Sequence, residues 1–263
     1  MQEQQALTRW RIVVTPASRG AENMALDEAL MERARVTGES VARIYAWSRP
    51  TISLGRNQTA NGLYDLERIR ALDLDVVRRP TGGRAILHHR EITYSVTSPA
   101  GESSGLSESY HSINLFLLDA LARLGVHAAI AAPVRKSAPP SMSPCFNEPS
   151  AGELTFDGRK LAGSAQWRAD GALLQHGSIL IADDQSILST LAVERGPDIP
   201  APATLLDALG FAPSLTDVAD ALRDAIESIG GVRPTELELD EPIRARTSEL
   251  VVRYSDNAWT WRR

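Results

Sequence analysis

The sequence lacks the features that tie a chain to an oxidising compartment, to a membrane or to secretion. Its 263 residues include one cysteine, Cys145, and a lone cysteine cannot form an internal disulfide. The opening stretch MQEQQALTRWRIV has no apolar core of the kind found in a signal peptide. No apolar run approaches the length that spans a bilayer. We therefore expect a cytoplasmic protein with no membrane partner.

The sequence also lacks an excess of positive charge and the usual patterns of metal ligands. It carries 28 Lys and Arg against 33 Asp and Glu, a formal net charge of −5. An acidic surface does not favour a phosphate backbone, so we expect no nucleic-acid partner. There is no HExxH motif and no Cys/His zinc spacing, so we expect no metal site.

What remains is an ordinary globular composition with helix and strand patterns mixed along the chain. Strict strand–helix alternation is absent, and tight turns such as Asp157-Gly158 and Asp170-Gly171 join neighbouring strands. This predicts an α/β (α+β) fold with a mixed or antiparallel sheet. The expected strands are Trp10–Thr15, Val41–Trp47, Thr51–Leu54, Asp75–Arg79, Arg84–His88, Ile92–Thr97, Val126–Ala131, Glu153–Phe156, Lys160–Trp167 and Leu173–Ile181. The expected helices are Asn23–Arg35, Asp65–Leu72, Ser109–Leu124, Leu205–Leu209, Leu215–Ile229 and Glu241–Tyr254.

The length fits one domain. A chain of 263 residues suffices for one large domain or for one domain with a modest appendage. We expect a single domain over residues 1–263, with a mainly helical C-terminal part from about Gln185. A monomer is the default expectation.

Cys145 lies in a stretch rich in Pro and Ser, Pro133–Pro149, which predicts a long loop. Long loops inside a compact domain are usually functional or disordered. A cysteine thiolate is a strong nucleophile, whereas a structural cysteine is normally a small buried hydrophobe. Position alone leaves two interpretations open, a catalytic nucleophile and an incidental loop cysteine.

Lys160 follows the turn in DGRKLAGSAQ. A cation at this place could hold an acyl carbonyl oxygen or lower the pKa of a thiol. Position alone favours the simpler interpretation, a solvated lysine at the end of a strand.

The turn Thr81-Gly82-Gly83 is flanked by arginines. Two glycines let the backbone come close to a ligand and aim its amides at a carboxyl or phosphate oxygen. Arg78, Arg79 and Arg84 around the turn favour the docking of an anionic group.

Three histidines are candidate acids, bases or ligand contacts. His88 and His89 should point to opposite faces of an extended segment. His176 interrupts an apolar strand just before Gly177. It is either a core histidine with satisfied hydrogen bonds or part of a pocket wall, and the sequence leaves both readings open.

Taken together, three segments resemble the lipoate–protein ligase A and octanoyltransferase group of the biotin/lipoate ligase superfamily. They are NMALDEAL, RRPTGGRAILHHREITYSV and GRKLAGSAQWRADGALLQHGSIL. The likeness covers roughly residues 9–230 in consistent order. It implies a biotin/lipoate ligase-like catalytic domain with a central mixed β-sheet flanked by helices and an acyl-binding tunnel.

The resemblance also implies roles for the matching residues. Cys145 and Lys160 would be catalytic, with Lys160 contacting the acyl carbonyl. The residues that would bind substrate are Arg79, Thr81, Gly82, Gly83, His88, Ser164, Gln166, His176 and Gly177.

Within this group, three details resemble the cysteine-type octanoyltransferases more than the ATP-using ligases. Arg84 stands where the ATP-using ligases usually carry a third glycine, and Cys145-Phe146 with Pro149-Ser150 matches the cysteine context of the octanoyltransferases. Only about eighty residues follow the third segment, less than many ligases need for an accessory domain. One departure is Ala151-Gly152, where relatives often have an aromatic residue, and it predicts a different shape of the pocket or of the cysteine loop.

The implied reaction moves octanoyl from acyl carrier protein, through a thioester on Cys145, to a lysine of a lipoyl domain or of glycine cleavage H protein. It serves lipoate biosynthesis and requires no cofactor. An ATP-dependent lipoate–protein ligase is the first alternative, in which Lys160 would bind the adenylate and Cys145 would be incidental. An amidotransferase acting between lipoyl carrier proteins is the second. A catalytically silent member that binds acyl groups or lipoyl domains is the third.

Overall fold

The fold is a mixed α/β arrangement of two sheets and surrounding helices, as predicted. The computed structural model describes residues 9–100, 105–132, 152–194 and 200–263. The predicted loop Pro133–Pro149, with Cys145, lies outside the described residues. No helix in the described ranges is both long and apolar enough to cross a bilayer.

The strands form one large and one small sheet. In chain order they are β1 (Arg9–Val14), β2 (Glu39–Tyr45), β3 (Thr51–Leu54), β4 (Asp75–Arg78), β5 (Ile86–His88), β6 (Glu91–Pro99), β7 (Ala129–Ile130), β8 (Leu154–Phe156), β9 (Arg159–Ala169), β10 (Ala172–Leu180) and β11 (Thr235–Glu236). Among the described residues, the large sheet has the order β11-β1-β2-β6-β10-β9-β8-β7 and the small one β4-β3-β5. The β11-β1-β2 pairs and β3-β4 are parallel and the others antiparallel, so both sheets are mixed.

Helices cover both faces of the large sheet. They are α1 (Gly20–Thr37), α2 (Leu66–Ala71), α3 (Leu106–Arg123), α4 (Ser186–Leu191), α5 (Leu205–Leu209), α6 (Leu215–Gly230), α7 (Glu241–Tyr254) and α8 (Asn257–Thr260). The main core packs α3 and α6 against one face of the sheet. Helix α1 lies on the other face, against β6 and β10.

Helix α1 is buried on nearly all sides because α7 packs against its outer surface. The predicted apolar face is confirmed, since Met24, Leu30, Met31 and Ala34 are all buried. Polar residues of the helix are buried as well. They are Asn23, Asp27 and Glu28. A buried carboxylate must find hydrogen-bond or ionic partners, so this helix carries the first sign of a functional site.

Two predicted strands are shorter by two or more residues in the structure. The expected strand Val126–Ala131 is reduced to β7, because the Val126 amide instead donates to the carbonyl of Leu121 in a helix-ending turn. The expected strand Arg84–His88 begins at Ile86, because the carbonyl of Arg84 accepts from the Arg79 guanidinium in the preceding turn. Strand β11 and helices α4 and α8 were not among the predicted elements.

Both hairpin turns are confirmed. Asp157 and Gly158 have φ values of 49° and 72°, and Asp170 and Gly171 have 50° and 76°. Positive φ at both central residues is the signature of the type I′ turn, which matches the twist of paired strands. These turns fix the register of β8, β9 and β10.

Candidate active site

Two groups of buried polar side chains lie on opposite faces of the large sheet, at the pair β6–β10. Successive residues of a strand point to opposite faces. His176, which pairs with Ser95, therefore faces α1, and Gly177, which pairs with Tyr94, faces α3. We call the first group the α1-side network and the second the α3-side cluster. The first contains Asp27, Arg43, Tyr45, Thr81, Ser95 and His176, and the second contains Tyr94, Asn114, Ser164, Gln166 and Gln175.

Asp27 is the centre of the α1-side network. Its carboxylate is fully buried. Arg43 donates to Oδ1 at 2.7 Å and Ser95 donates to the same oxygen at 2.8 Å. The Tyr45 hydroxyl donates to Oδ2 at 2.9 Å, and His176 Nδ1 lies 3.0 Å from Oδ2. Both oxygens are thus saturated.

Asp27 is ionised in this setting. Burial by itself raises the pKa of the Asp27 carboxyl, but Arg43, His176 and Ser95 together outweigh it, and the pKa ends below its ordinary value. A buried ion pair of this kind is stable only while all partners are in place. The network therefore holds one negative charge at a fixed point beneath β10.

His176 links Asp27 to the glycine turn. Its Nε2 lies 2.7 Å from the hydroxyl oxygen of Thr81. Burial lowers the pKa of His176, and the opposing effect of Asp27 is smaller, so the imidazole is neutral at neutral pH. Since the carboxylate can only accept, Nδ1 carries the hydrogen, Nε2 accepts, and the Thr81 hydroxyl donates. Both ring nitrogens of His176 have hydrogen-bond partners. This agrees with the first of its two interpretations, a core histidine with satisfied hydrogen bonds.

Arg79 pins the same turn from the other side. Its guanidinium donates to the carbonyls of Ser53 at 2.8 Å, Gly82 at 2.7 Å and Arg84 at 2.7 Å. It also donates to the Ser53 hydroxyl at 3.0 Å. The turn is therefore held at Gly82 and Arg84 by one buried side chain.

The turn also packs closely against Gly55. A Cβ at Gly55 would overlap the carbonyl oxygen of Gly83. Gly83 itself has φ of 91°, where a side chain would be strained. The Arg56 amide then donates to the carbonyl of Thr81 at 2.8 Å. Both glycines are thus needed for the turn to sit where it does.

His88 is held beside this turn without touching it. Its Nε2 lies 2.8 Å from the Ser53 hydroxyl, and its ring stacks on Trp47 with centroids 4.0 Å apart. Its Nδ1 is 3.4 Å from Glu91 Oε1. His88 is buried, whereas the half-exposed His89 pairs with Asp184, so the predicted opposite orientation is confirmed.

The α3-side cluster joins the predicted residues of the third sequence segment. The hydroxyls of Tyr94 and Ser164 are 2.6 Å apart. Gln175 donates to the Tyr94 hydroxyl at 3.0 Å and to Asn114 at 3.1 Å, and Gln166 donates to Gln175 at 3.4 Å. Burial raises the pKa of Tyr94 to about 12, so its hydroxyl stays protonated.

Gly177 makes room for this cluster. A Cβ at Gly177 would lie 2.6 Å from the Tyr94 ring, 2.6 Å from the Gly163 carbonyl oxygen and 2.8 Å from the Ser164 hydroxyl. Contacts that short are not tolerated, so the position requires glycine. In this structure the Tyr94 ring takes the space that the missing side chain leaves.

Lys160 is buried, so the solvated lysine favoured by its position is wrong. It is 3% exposed, and its Nζ donates to Glu153 Oε1 at 2.7 Å. Glu153 is 5% exposed. The result is a desolvated ammonium held in one orientation. Asn114 of the α3-side cluster donates to the carbonyl of Gly152 at 2.6 Å, so the residue before Glu153 contacts that cluster.

The chain segment that contains Cys145 leaves and rejoins the sheet at one place. The Gly152 amide donates to the carbonyl of Ala131 at 3.1 Å, and the Ala131 amide donates to the carbonyl of Glu153 at 2.8 Å. Cys145 itself lies outside the described residues, seven positions before Gly152. The residue that rejoins the sheet is thus next to the partner of Lys160.

A family model for the lipoyl protein ligase A/B catalytic domain matches residues 19–227. That span includes both polar groups and Lys160, and it exceeds half of the chain. The chain belongs to the lipoyl protein ligase A/B catalytic-domain family.

Relatives of this family match the chain over nearly its whole length. The octanoyltransferase LipM of Symbiobacterium thermophilum is 38% identical, over 97% of this chain and 99% of the relative. The octanoyltransferase LipM of Kyrpidia tusciae is 37% identical with the same coverage, and that of Staphylococcus aureus is 31% identical, again over 97% and 99%.

Solved structures show the same family fold. Lipoate-protein ligase A bound with ATP superposes with a TM-score of 0.78 at 21% identity, covering 97% of this chain and 98% of that one. A putative lipoate protein ligase from Thermoplasma acidophilum with bound lipoic acid gives 0.76 at 21% identity, covering 97% and 99%. The predicted biotin/lipoate ligase-like fold is therefore confirmed.

Within this family fold, the sequence-predicted site residues fall into two sets. One set gathers at the glycine turn on the α1 side, and it consists of Arg79, Thr81, Gly82, Gly83, His88 and His176. The other lies on the α3 side, and it consists of Ser164, Gln166 and Gly177. Their roles toward substrate stay predictions.

Sequence reasoning missed several residues of the two polar groups, and it also missed the partner of Lys160. Asp27 lies one helical turn from Asn23 and Met31, in the middle of the apolar face predicted for α1. An acid on a buried face is a signal that could have found it. Glu153 carried no such signal, because its meeting with Lys160 depends on the pairing of β8 with β9.

The two arginines before the turn point at the protein backbone. Arg78 and Arg79 donate to backbone carbonyls, such as those of Gly55 and Ser53. The docking of an anionic group at this turn stays a prediction. In the described ranges, no group of three or more His, Cys, Asp or Glu side chains is placed to hold a metal ion.

Proposed function

We propose that this chain is an octanoyltransferase of lipoate biosynthesis. It moves an octanoyl group from acyl carrier protein, through a thioester on Cys145, to a lysine of a lipoyl domain or of glycine cleavage H protein. The names of the near-full-length relatives support the reaction class. The observation that carries the proposal is the buried Lys160–Glu153 pair beside the point where the Cys145 segment rejoins the sheet.

The first half-reaction forms the acyl-enzyme. The Cys145 thiolate attacks the thioester carbonyl carbon of the donor, the carbonyl oxygen becomes negative, and the carrier thiol leaves as the carbonyl re-forms. Lys160 stabilises the negative oxygen. Because it is already desolvated and held by Glu153, little reorganisation is needed when the charge develops.

The second half-reaction makes the amide. The neutral amine of the acceptor lysine attacks the Cys145 thioester, loses a proton, and expels the cysteine thiol. An amide is more stable than a thioester, so the transfer runs downhill without ATP. No cofactor takes part.

In this proposal the substrate-binding residues lie on both faces of the large sheet. Those that contact substrate on the α1 side are Arg79, Thr81, Gly82, Gly83, His88 and His176, and those that contact it on the α3 side are Ser164, Gln166 and Gly177. An apolar tunnel selects chain length at about 0.8 kcal/mol for each buried methylene.

A comparison of acyl donors distinguishes this reaction from that of an ATP-dependent ligase. The protein is mixed with an acceptor lipoyl domain and either octanoyl-acyl carrier protein without ATP or free octanoate with ATP. We expect octanoyl-lysine only with the carrier, and none with Cys145→Ser. Product from free octanoate and ATP that persists in Cys145→Ser contradicts the proposal and identifies a ligase.

A further inference from the structure

Four arginines meet beside the glycine turn, outside the set of residues proposed above to bind the acyl group. We call them the arginine cluster, and it consists of Arg56, Arg78, Arg262 and Arg263. Arg262 donates to the carbonyl of Arg56 at 2.8 Å. The carbonyl of Arg263 accepts from the amides of Ala60 and Asn61. The end of the described chain is thereby fastened to the loop that follows β3.

Arg78 is the buried member of the cluster. It is 0% exposed, and it donates to the carbonyls of Thr260 at 2.8 Å and Gln58 at 2.8 Å. Its second terminal nitrogen, Nη2, is buried and has no hydrogen-bond partner within the described ranges. A buried guanidinium nitrogen without a partner is costly unless a ligand satisfies it.

The cluster carries positive charge that the described residues leave uncompensated. Burial lowers the pKa of Arg78 to about 10, with Arg262, Arg263 and Arg79 adding to the effect. Burial also lowers the pKa of Arg262, with Arg56 and Arg263 adding to it. In the described part of the chain these four arginines form no salt bridge, unlike Arg43, which pairs with Asp27. A protein of net charge −5 thus concentrates like charges at one place.

The cluster adjoins the acyl site through short links. The amide of Arg56 donates to the carbonyl of Thr81 in the glycine turn. The Arg56 guanidinium lies over the Trp167 ring in β9, 4.9 Å from its centroid. Arg262 lies over Trp259 at 3.9 Å, and the Trp259 indole donates to the carbonyl of Arg78. Aromatic faces hold guanidinium groups in fixed positions without neutralising them.

We propose that the arginine cluster binds the phosphodiester of the donor's prosthetic arm. This inference rests on the proposed function, in which the octanoyl thioester hangs from a phosphopantetheine on the carrier. Arginine suits such a group because its planar fork donates two parallel hydrogen bonds to phosphate oxygens. The exposed Arg262 and Arg263 receive the anion, Arg56 lies between them and the turn, and buried Arg78 adds its charge from behind.

Two small acyl donors measure what the phosphate group contributes to the reaction. Octanoyl-phosphopantetheine and octanoyl-pantetheine carry the same thioester and differ by the phosphate group. We expect the wild-type protein to form the Cys145 thioester with the phosphorylated donor at a kcat/KM about 10-fold or more above that for the other donor. In Arg56→Gln/Arg262→Gln, this ratio should fall to near one. Because the ratio is taken within one variant, a general loss of activity cancels.

The matched control removes two exposed arginines elsewhere. Arg123→Gln/Arg244→Gln makes the same change in net charge on α3 and α7 and should keep the wild-type ratio. Arg263→Gln, the mildest change in the cluster, should lower the ratio in part and covers the case in which the double variant fails to fold. Thermal melting curves identify such a failure.

The outcomes separate the possibilities. A ratio near one in the wild-type protein, or an unchanged ratio in both cluster variants, overturns the proposal. If the cluster variants keep the ratio but react poorly with the whole acyl carrier protein, the cluster binds an acidic protein surface and the phosphate site is wrong. Failure of the wild-type protein to form the thioester with any donor would instead count against the proposed function.

Discussion

At the scale of single residues, the environment of Lys160 in the structure differs from the one that its sequence position predicts. Its place after a tight turn favoured a solvated side chain, yet it is 3% exposed and paired with Glu153 at 2.7 Å. Burying a lysine together with its carboxylate partner contributes little net stability, because both charges lose their water. We propose that the pair serves instead to stabilise a developing negative charge.

Lys160→Met tests that explanation. The substitution keeps much of the side-chain volume and removes the ammonium, and we expect acyl-enzyme formation to slow by about 10²- to 10³-fold, as when an oxyanion-hole donor is lost. Single-turnover kinetics with octanoyl-carrier measures it. Arg159→Met is the control, because Arg159 is the neighbouring cation and pairs with Asp207 at the surface. Equal rates in Lys160→Met and the control would remove Lys160 from the chemistry.

His176 makes stability depend on pH. Burial lowers its pKa in the folded protein, while the unfolded chain titrates near 6.5. The unfolded state therefore binds more protons below about pH 6.5, and stability falls there by up to about 1.4 kcal/mol per pH unit. The stabilising effect of neutral His176 is complete above about pH 6.5. It is lost as the pH falls toward the lowered pKa of His176 in the folded protein. The contribution of Asp27, whose pKa is also lowered, is lost only nearer pH 4.

Urea unfolding between pH 7 and pH 5 measures this dependence. We expect the free energy of unfolding to drop across this range in the wild-type protein and to drop less in His176→Gln. His89→Gln removes a half-exposed histidine and should keep the wild-type slope. An unchanged slope in His176→Gln would show that another group controls stability in this range.

At the scale of elements, the sequence predicted most of the framework and little of the site. Periodicity placed α1 and the long strands β6, β9 and β10, and Asp-Gly pairs placed both hairpin turns, because these signals are local. Strand β11 is two residues long and pairs with β1 across more than 200 residues, so no local pattern marks it. The polar groups were split between two faces only once the register of β10 against β6 was known.

A substitution at Gly177 tests whether the pairing of β10 with β6 leaves no room for a side chain at this position. Gly177→Ala puts a methyl group 2.6 Å from the Tyr94 ring and from a backbone carbonyl, so we expect a loss of about 1–3 kcal/mol in the free energy of unfolding. Activity should fall as well, because Tyr94 and Ser164 must move. Gly230→Ala is the control, since Gly230 lies in α6 and its Cβ would meet its nearest neighbours only at 3.9 Å. Similar stability of the two variants would mean that the strand adjusts without strain.

At the scale of the whole molecule, the C-terminal helices are fastened to the site. Glu28 of α1 accepts from Arg253 and Tyr254 of α7, and Arg246 pairs with Glu32 at 2.7 Å. The Trp259 indole then donates to the carbonyl of Arg78, three residues before the glycine turn begins at Thr81. The sequence left open whether this tail caps the site or only stabilises the fold. These contacts favour a tail that braces the turn from behind.

This bracing predicts one cooperative unit over residues 1–263. In native-state hydrogen exchange, the best-protected amides of α1, β10 and α7 should open with the same free energy and the same dependence on urea. Glu28→Gln should lower the opening free energies of all three elements together, because it weakens the buried contact between α1 and α7. The exposed control Glu227→Gln should lower none of the three. Separate opening of α7 at low free energy, with α1 still protected, would divide the chain into two units.

The central claim is that octanoyl passes through a covalent bond to Cys145, and intact-protein mass spectrometry after mixing with octanoyl-acyl carrier protein tests it most directly. The account predicts a gain of one octanoyl group, located by peptide mapping on Cys145, removed by an acceptor lipoyl domain and absent from Cys145→Ser. Transfer to the acceptor at the normal rate by Cys145→Ser, or a label on any other residue, would contradict it.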